Sequence, residues 1–319
     1  MKPPYEISPL ALNLISSISR KIGVLDVSFL VQSSPKLRKK NQVKTIHSSL
    51  KIEGNTLSEN QISSLLEGKR VMGPSKDIIE VDNAIKVYQQ LDKLSYDSMD
   101  SFLEAHNSLM ASLIPEPGKF RKGAVGIVKG NDLAHLAPSA KQVPRLMNEL
   151  FAYLKTGEHC IIKSCVFHYE LEFIHPFDDG NGRMGRLWQT LILMDEYPVF
   201  KHIPFESIIA RSQEEYYQAL AKADKAGSST IFIEYMLQVL DQALEELLDS
   251  SKQGNLDQEL RLKHFRSLEI EQFSRKDYLT VFRQISVATT SRDLKQGVDK
   301  GYFEKEGDKR LTIYRVLRN

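Results

Sequence analysis

The chain is 319 residues long, 41% hydrophobic and 26% charged, which is the mixture of a soluble globular protein with a sizeable core and more than one domain. A net charge of +2 is too small for global attraction to nucleic acid or a membrane, and two cysteines, Cys160 and Cys165, exclude a disulfide scaffold and suit a reducing cytoplasm. Residues 261–319 nonetheless hold 14 Lys and Arg against 8 Asp and Glu, so an electrostatic partner should meet the C-terminal end.

The first residues contain a short apolar piece broken by Asn13 and serines, with no signal-peptide pattern, and no run of the chain is long enough to span a bilayer. A soluble, cytoplasmic protein without membrane contact is expected. Apolar spacing predicts helices over 59–68, 78–94, 142–155, 160–174 and 229–249. Between them, Val125, Ile127 and the Gly130-Asn131-Asp132 turn suggest a short β-hairpin ending near Pro138. Residues 250–258, SSKQGNLDQ, read as a linker. Helical patterns over 259–271, 274–284 and 289–300 are then followed by two short strands around Glu306-Gly307-Asp308, the order of a winged helix-turn-helix.

Chemistry concentrates in HPFDDGNGRMGRLW, residues 175–188. Pro176 should stop the preceding helix at His175, and helical periodicity resumes after Asn181, so the stretch is a helix, a tight loop and a new helix N-terminus. Such an N-terminus offers unpaired N–H groups to an anion, and glycines beside Asn181 let the backbone approach it closely. Arg183 and Arg186, three apart, can face the same anion, and two such forks suit a polyphosphate; Asp179 could hold Mg²⁺ against phosphate oxygens. His175 is the group suited to take a proton from an attacking hydroxyl. The spacing of His168, Glu172 and His175 loosely matches metal ligands, but without HExxH order His168 reads as a buried, hydrogen-bonded buttress. Phe177 and Trp188 read as packing residues and Asp178 as solvated.

HPFDDGNGRMGR, 175–186, resembles a complete Fic-family signature, H-P-F-x-D/E-G-N-G-R-x-x-R, and FHYELEFIHPF with GKFR at 118–121 resembles the Fic core. The resemblance implies a mainly α fold with a Fic-type helical core, a hairpin flap near 125–138 that aligns the target polypeptide, and a C-terminal winged helix-turn-helix. It implies transfer of AMP from ATP to a Ser, Thr or Tyr hydroxyl of a protein, releasing pyrophosphate. His175 would be the general base and Asp179 the Mg²⁺ ligand. Asn181 with Gly180, Gly182 and neighbouring amides would hold the α-phosphate, and Arg183 and Arg186 the outer phosphates. Relatives often pair through the core, which leaves a homodimer open, and self-modification at an exposed tyrosine such as Tyr5 or Tyr314 is a further option.

HSSLKIEGNTLSENQI, 47–62, resembles the family's inhibitory motif, S/T-x-x-x-E/D-G/N, through Ser49, Glu53 and Gly54. A Glu53 carboxylate paired bidentately with Arg186 would occupy the γ-phosphate position and keep the enzyme off. The same residues also read as an ordinary helix ending at Gly54-Asn55, with a second helix capped by Thr56 or Ser58. Glu53 directing water to remove AMP from a target is an alternative activity. Three regions are expected: a helical 1–97 carrying the inhibitory motif, a Fic core over 98–250 and the winged helix over 251–319. In the last, Leu294 and Val298 should face inward while Arg292, Lys295 and Lys300, with Lys305, Lys309 and Arg310 on the wing, could meet phosphates. DNA is therefore the candidate partner of 274–312, against a module whose charges are only solvated, and a DNA-binding regulator with a nucleotide-sensing core is the alternative function.

Overall fold

The computed structural model describes residues 3–32, 35–124, 126–129, 132–253, 258–268, 270–282, 285–307 and 312–317. The chain divides into one unit of Met1–Val24 with Arg38–Glu245 and a second of Leu25–Leu37 with Glu246–Asn319. Most of the N-terminal region expected over 1–97 thus shares a unit with the core, while Leu25–Leu37 falls in the second unit.

The order opens with α1 (Pro9–Gln32), α2 (Pro35–Ile52), α3 (Glu59–Leu66), α4 (Ser75–Gln89) and α5 (Met99–Leu109). A hairpin of β1 (Gly126–Lys129) and β2 (Asp132–Leu136) follows, then α6 (Val143–Leu154), α7 (Cys160–Ile174), α8 (Asn181–Glu196), α9 (Glu206–Arg211), α10 (Gln213–Ala226) and α11 (Thr230–Gln253). The expected helices are present with small shifts at their ends. Helix α1 was not foreseen: its polar interruptions hide a face on which Ile18 and Ile22 are buried, while Lys21 pairs with Asp241 at 2.9 Å and Glu245 at 2.8 Å. The expected linker begins late, because α11 continues through Gln253; residues 254–257 lie outside the described residues.

Helix α7 is buried around almost its whole circumference, and α8 packs along it. Phe102 of α5 centres an aromatic cluster, with Trp188 edge-on at 4.9 Å, Phe177 stacked at 5.4 Å and Phe151 edge-on at 5.5 Å. Phe177 and Trp188 are therefore core residues, and the Trp188 indole N–H donates to the Tyr96 carbonyl at 2.8 Å. Both cysteines are buried, free thiols. In the hairpin, Gly126 pairs with Leu136 and Lys129 with Asp132, with one register irregularity after Ile127. Val125, Gly130 and Asn131 lie outside the described residues.

The second unit contains α12 (Gln258–Ser267), β3 (Gln272–Ser274), α13 (Arg275–Val281), α14 (Val287–Asp299), β4 (Phe303–Glu306) and β5 (Ile313–Val316), with the sheet ordered β3-β5-β4 and antiparallel. Leu262, Phe265, Phe273, Tyr278, Phe282, Leu294, Phe303 and Val316 form its own core. Leu294 is buried as expected and Val298 is half-buried, whereas Arg292, Lys295 and Lys300 are exposed; Lys300 pairs with Glu259. Lys309 and Arg310, expected on the wing, lie outside the described residues, as does Asp308 of the turn. Among the described residues no helix is long and apolar enough to cross a membrane.

Inside this core Arg261 donates to both oxygens of Asp293, at 2.5 and 2.8 Å, with both side chains almost wholly buried. Removing one partner strands the other charge away from water. Asp293→Ala should cost about 3–5 kcal/mol of the second unit's stability, read as a lowered urea midpoint for the transition of that unit.

Candidate active site

The loop between α7 and α8 is shaped by two left-handed residues. His175 caps α7 at φ 49°, its N–H donating to the Leu171 carbonyl at 2.9 Å, and Gly180 precedes α8 at φ 90°. A side chain at Gly180 would also collide with the Met110 sulfur, at 2.8 Å from the built Cβ, so glycine is required on two counts. The half-buried His175 ring directs Nδ1 at the Glu172 carbonyl, 3.4 Å away. A carbonyl can only accept, so that bond places a proton on Nδ1 and favours the tautomer whose lone pair is on Nε2.

The Asn181 side chain bonds within the loop. It is buried, with Oδ1 accepting from the Phe177 N–H and Nδ2 donating to the Phe177 carbonyl, both at 2.9 Å. The residue expected on the α-phosphate thus also closes the loop upon itself, and the backbone amides of the first turn of α8 form an end that carries no side-chain cap.

The structure brings Asp179 and Arg183 together at 2.9 Å, and Arg183 also reaches Glu80 of α4 at 3.2 Å. Glu80 in turn accepts from Asn55 at 2.8 Å, joining the segment after α2 to this side of the loop. Arg186, at 0% exposure, donates from Nε to the Ser49 hydroxyl at 3.1 Å and from Nη2 to the Ser49 carbonyl at 3.0 Å and to Glu53 at 2.7 Å. The Glu53 contact is thus single rather than bidentate, made through Nη2, which it shares with the Ser49 carbonyl. Burial works against the Arg186 charge, and the Glu53 carboxylate more than offsets this, holding the proton above its usual range.

Glu53 follows the end of α2, where Gly54 turns the chain at φ 90°. Its Oε1 lies so near Gly182 that a Cβ there would stand 2.6 Å from it. The carboxylate thus sits against the first turn of α8, where amides and helix dipole favour negative charge. The ordinary helix-end reading holds as well, with Ser58 capping α3 in a capping box. Two arginine nitrogens, Arg183 Nε and Arg186 Nη1, are buried without a hydrogen-bond partner among the described residues, and both are donors that phosphate oxygens would satisfy.

Of the site residues outside the signature, Arg121 was legible only as the last residue of GKFR, and Glu206 carried no sequence signal. Arg121 donates to the carbonyls of His175 at 2.7 Å, Ile174 at 3.3 Å, Gly123 at 2.7 Å and Pro138 at 2.5 Å, tying the base of the hairpin to the cap of α7. Wholly buried Glu206 has a carboxyl pushed up to about 8 by burial, against the opposing Arg186 charge. His168 is the buried buttress expected of it, with Nδ1 2.7 Å from the Gln189 side-chain Oε1 and Nε2 3.0 Å from the Tyr216 hydroxyl. Asp178 is exposed, and Tyr5 and Tyr314 are half-buried rather than exposed, Tyr5 lying 3.2 Å from the Tyr153 hydroxyl.

The Asp179 donor set fits Mg²⁺. Its carboxylate is 45% exposed and both its contacts, from Gly180 N–H and Arg183, fall on Oδ1. One carboxylate completed by substrate phosphates and water is the usual way this hard cation is held. Among the described residues no group of three or more His, Cys, Asp or Glu could hold a metal ion alone.

Residues 96–193 match the Fic/DOC family. The structure superposes on a Fic family protein from Desulfovibrio desulfuricans G20 with a TM-score of 0.76 and 38% sequence identity, covering 100% of this chain and 99% of that one. This chain belongs to the Fic/DOC family. It is also 28% identical over 221 residues to the protein adenylyltransferase Fic of Nematostella vectensis, and 29% identical over 222 residues to that of Aedes aegypti. Each alignment takes in 65% of this chain, but the chain spans only 48% and 42% of those relatives' lengths. The Fic/DOC match contains the whole 175–186 signature but neither Ser49 nor Glu53.

The neutral His168 gives a pH test of the core supporting this site. Burial lowers its pKa to about 3, whereas the unfolded chain takes up that proton near 6.5. Its contribution is present above pH 6.5 and is lost as pH falls towards 3. The urea midpoint should fall between pH 6.5 and 4.5, and His168→Gln should flatten that slope while lowering the midpoint at pH 7.

Proposed function

We propose that this protein is a protein adenylyltransferase held off by its own N-terminal region. The observation that carries the reading is the Glu53 carboxylate paired with buried Arg186 at the first turn of α8. An acidic side chain there stands where the signature would receive a nucleotide's phosphates. In this account 1–97 regulates, 98–250 carries the chemistry and 251–319 is a winged helix-turn-helix.

In the reaction, a hydroxyl oxygen of a protein target attacks the α-phosphorus of ATP. The new P–O bond forms as the bond to the bridging oxygen breaks, pyrophosphate leaves, and His175 Nε2 takes the hydroxyl proton. The Nδ1 bond to Glu172 prepares that tautomer. The first-turn amides of α8 bind α-phosphate oxygens, and Arg183 and Arg186 bind the outer phosphates. Asp179 would hold Mg²⁺, which neutralises the phosphate charge. Arg121 fixes the carbonyl of His175 and so the ring's direction of approach.

Removing Glu53 should free Arg186 for ATP. A charged hydrogen bond of about 1.5–3 kcal/mol corresponds to about ten- to hundredfold in apparent activity. Intact-mass spectrometry after incubation with ATP and Mg²⁺, alone and with lysate, should show AMP adducts rising by that factor in Glu53→Gly and vanishing in Glu53→Gly/His175→Ala. Equal adduct levels in wild type and Glu53→Gly would remove the restraint, and an adduct that survives His175→Ala would remove the assigned base.

The exposed Arg292 and Lys295 of α14 support a second reading, in which 274–312 docks on a DNA backbone. Binding to a duplex, followed by fluorescence anisotropy, should weaken in Arg292→Ala/Lys295→Ala and fall steeply with salt. A salt-independent signal, or none, would leave the C-terminal charges as solvated surface.

A further inference from the structure

His106, on α5, is fully buried and lies far in sequence from the signature, yet both its ring nitrogens are bonded to backbone at the site. The Gly118 N–H donates to Nδ1 at 2.8 Å, and Nε2 lies 3.0 Å from the Asp179 carbonyl. One tautomer serves both: an N–H requires an acceptor at Nδ1, so the proton resides on Nε2 and is donated to the carbonyl. The ring stacks on Phe177 with centroids 3.5 Å apart and planes within 5°. Gly180 packs closely enough that an added Cβ would stand 3.3 Å from Nε2. On the other side, Gly118 turns at φ 77° with α5 so near that a Cβ would lie 2.8 Å from that of Asn107.

Three residues past Gly118, the Arg121 N–H donates to the Pro176 carbonyl at 2.9 Å while its side chain holds those of Ile174 and His175. The segment entering the hairpin therefore grips the loop at 174–176 through Arg121 and at Asp179 through His106. We propose that His106 is a positioning residue that sets the spacing between the Asp179 backbone and the segment leading into the hairpin, and so between the metal-bound nucleotide and the strand expected to align the target. The proposal rests on the reading of Asp179 as the Mg²⁺ carboxylate.

The two bonds can be separated by substitution. Asn places an acceptor where Nδ1 stands, and Gln places a donor where Nε2 stands. In full-length Glu53→Gly protein, hydrogen exchange at the Gly118 and Gly180 amides reads the two sides without ligand, since the Gly180 N–H donates to the Asp179 carboxylate at 2.6 Å. His106→Asn should keep Gly118 protected and speed exchange at Gly180 about fivefold or more; His106→Gln should do the reverse; His106→Phe should speed both. The gain in ATP affinity produced by Mg²⁺, measured calorimetrically, should follow Gly180, falling about fivefold in His106→Asn and holding in His106→Gln. If both amides move together in every variant, His106 is packing alone and the proposal fails. It also fails if the Mg²⁺ gain is insensitive to His106→Asn. A Glu53→Gly parent that binds no ATP would overturn the adenylyltransferase reading instead, with the spacing role still decided by the amide pattern.

Discussion

A guanidinium with no exposure to water must be neutralised where it stands, and most of this site follows from how Arg186 meets that requirement. Desolvating a cation costs several kcal/mol unless a partner and hydrogen bonds replace its hydration. Ser49 supplies two acceptors from the last turns of α2, and Glu53, one residue beyond that helix, supplies the charge. Arg186 is thus neutralised by the N-terminal region, and in the proposed account an anion that claims it replaces the Glu53 carboxylate. Nη1, buried without a partner, is the one donor of that group left over for such an exchange among the described residues.

The surrounding loop is held by backbone bonds more than by side chains aimed outward. Asn181 closes it, Arg121 and His106 grip its two ends, and Gly180 and His175 take the left-handed conformations that bend it. Positioning of this kind leaves the amides of α8 and the His175 ring as the groups directed at a reactant, which suits phosphoryl chemistry, where orientation and electrostatics do most of the catalysis. The chain from Asn55 through Glu80 and Arg183 to Asp179 makes a second link between the N-terminal region and the loop, so both arginines of the signature answer to carboxylates that precede the core.

Much of this was legible in the residues. The helix over 160–174, its stop before Pro176, the new helix from Asn181 and the packing of Phe177 and Trp188 follow from local rules of periodicity, proline sterics and aromatic burial. The pairing of Glu53 with Arg186 was legible only through family resemblance, because the two lie far apart in the chain. The bonds of the Asn181 side chain to the Phe177 backbone were not legible either, since only the folded loop brings those groups together. His106, Glu80 and Glu206 had no signal, and Arg121 only its place in GKFR, since their roles come from partners distant in sequence or from burial. Helix α1 was missed because its polar interruptions mask a periodic buried face.

The central claim is competition between Glu53 and nucleotide for Arg186, and ATP affinity measures it most directly. Calorimetric titration of ATP with Mg²⁺ into wild type and Glu53→Gly should show affinity about ten- to hundredfold tighter in the variant, with the gain lost in Glu53→Gly/Arg186→Ala. Equal affinity in wild type and Glu53→Gly would mean that the carboxylate and the nucleotide do not share a site, and would contradict the account.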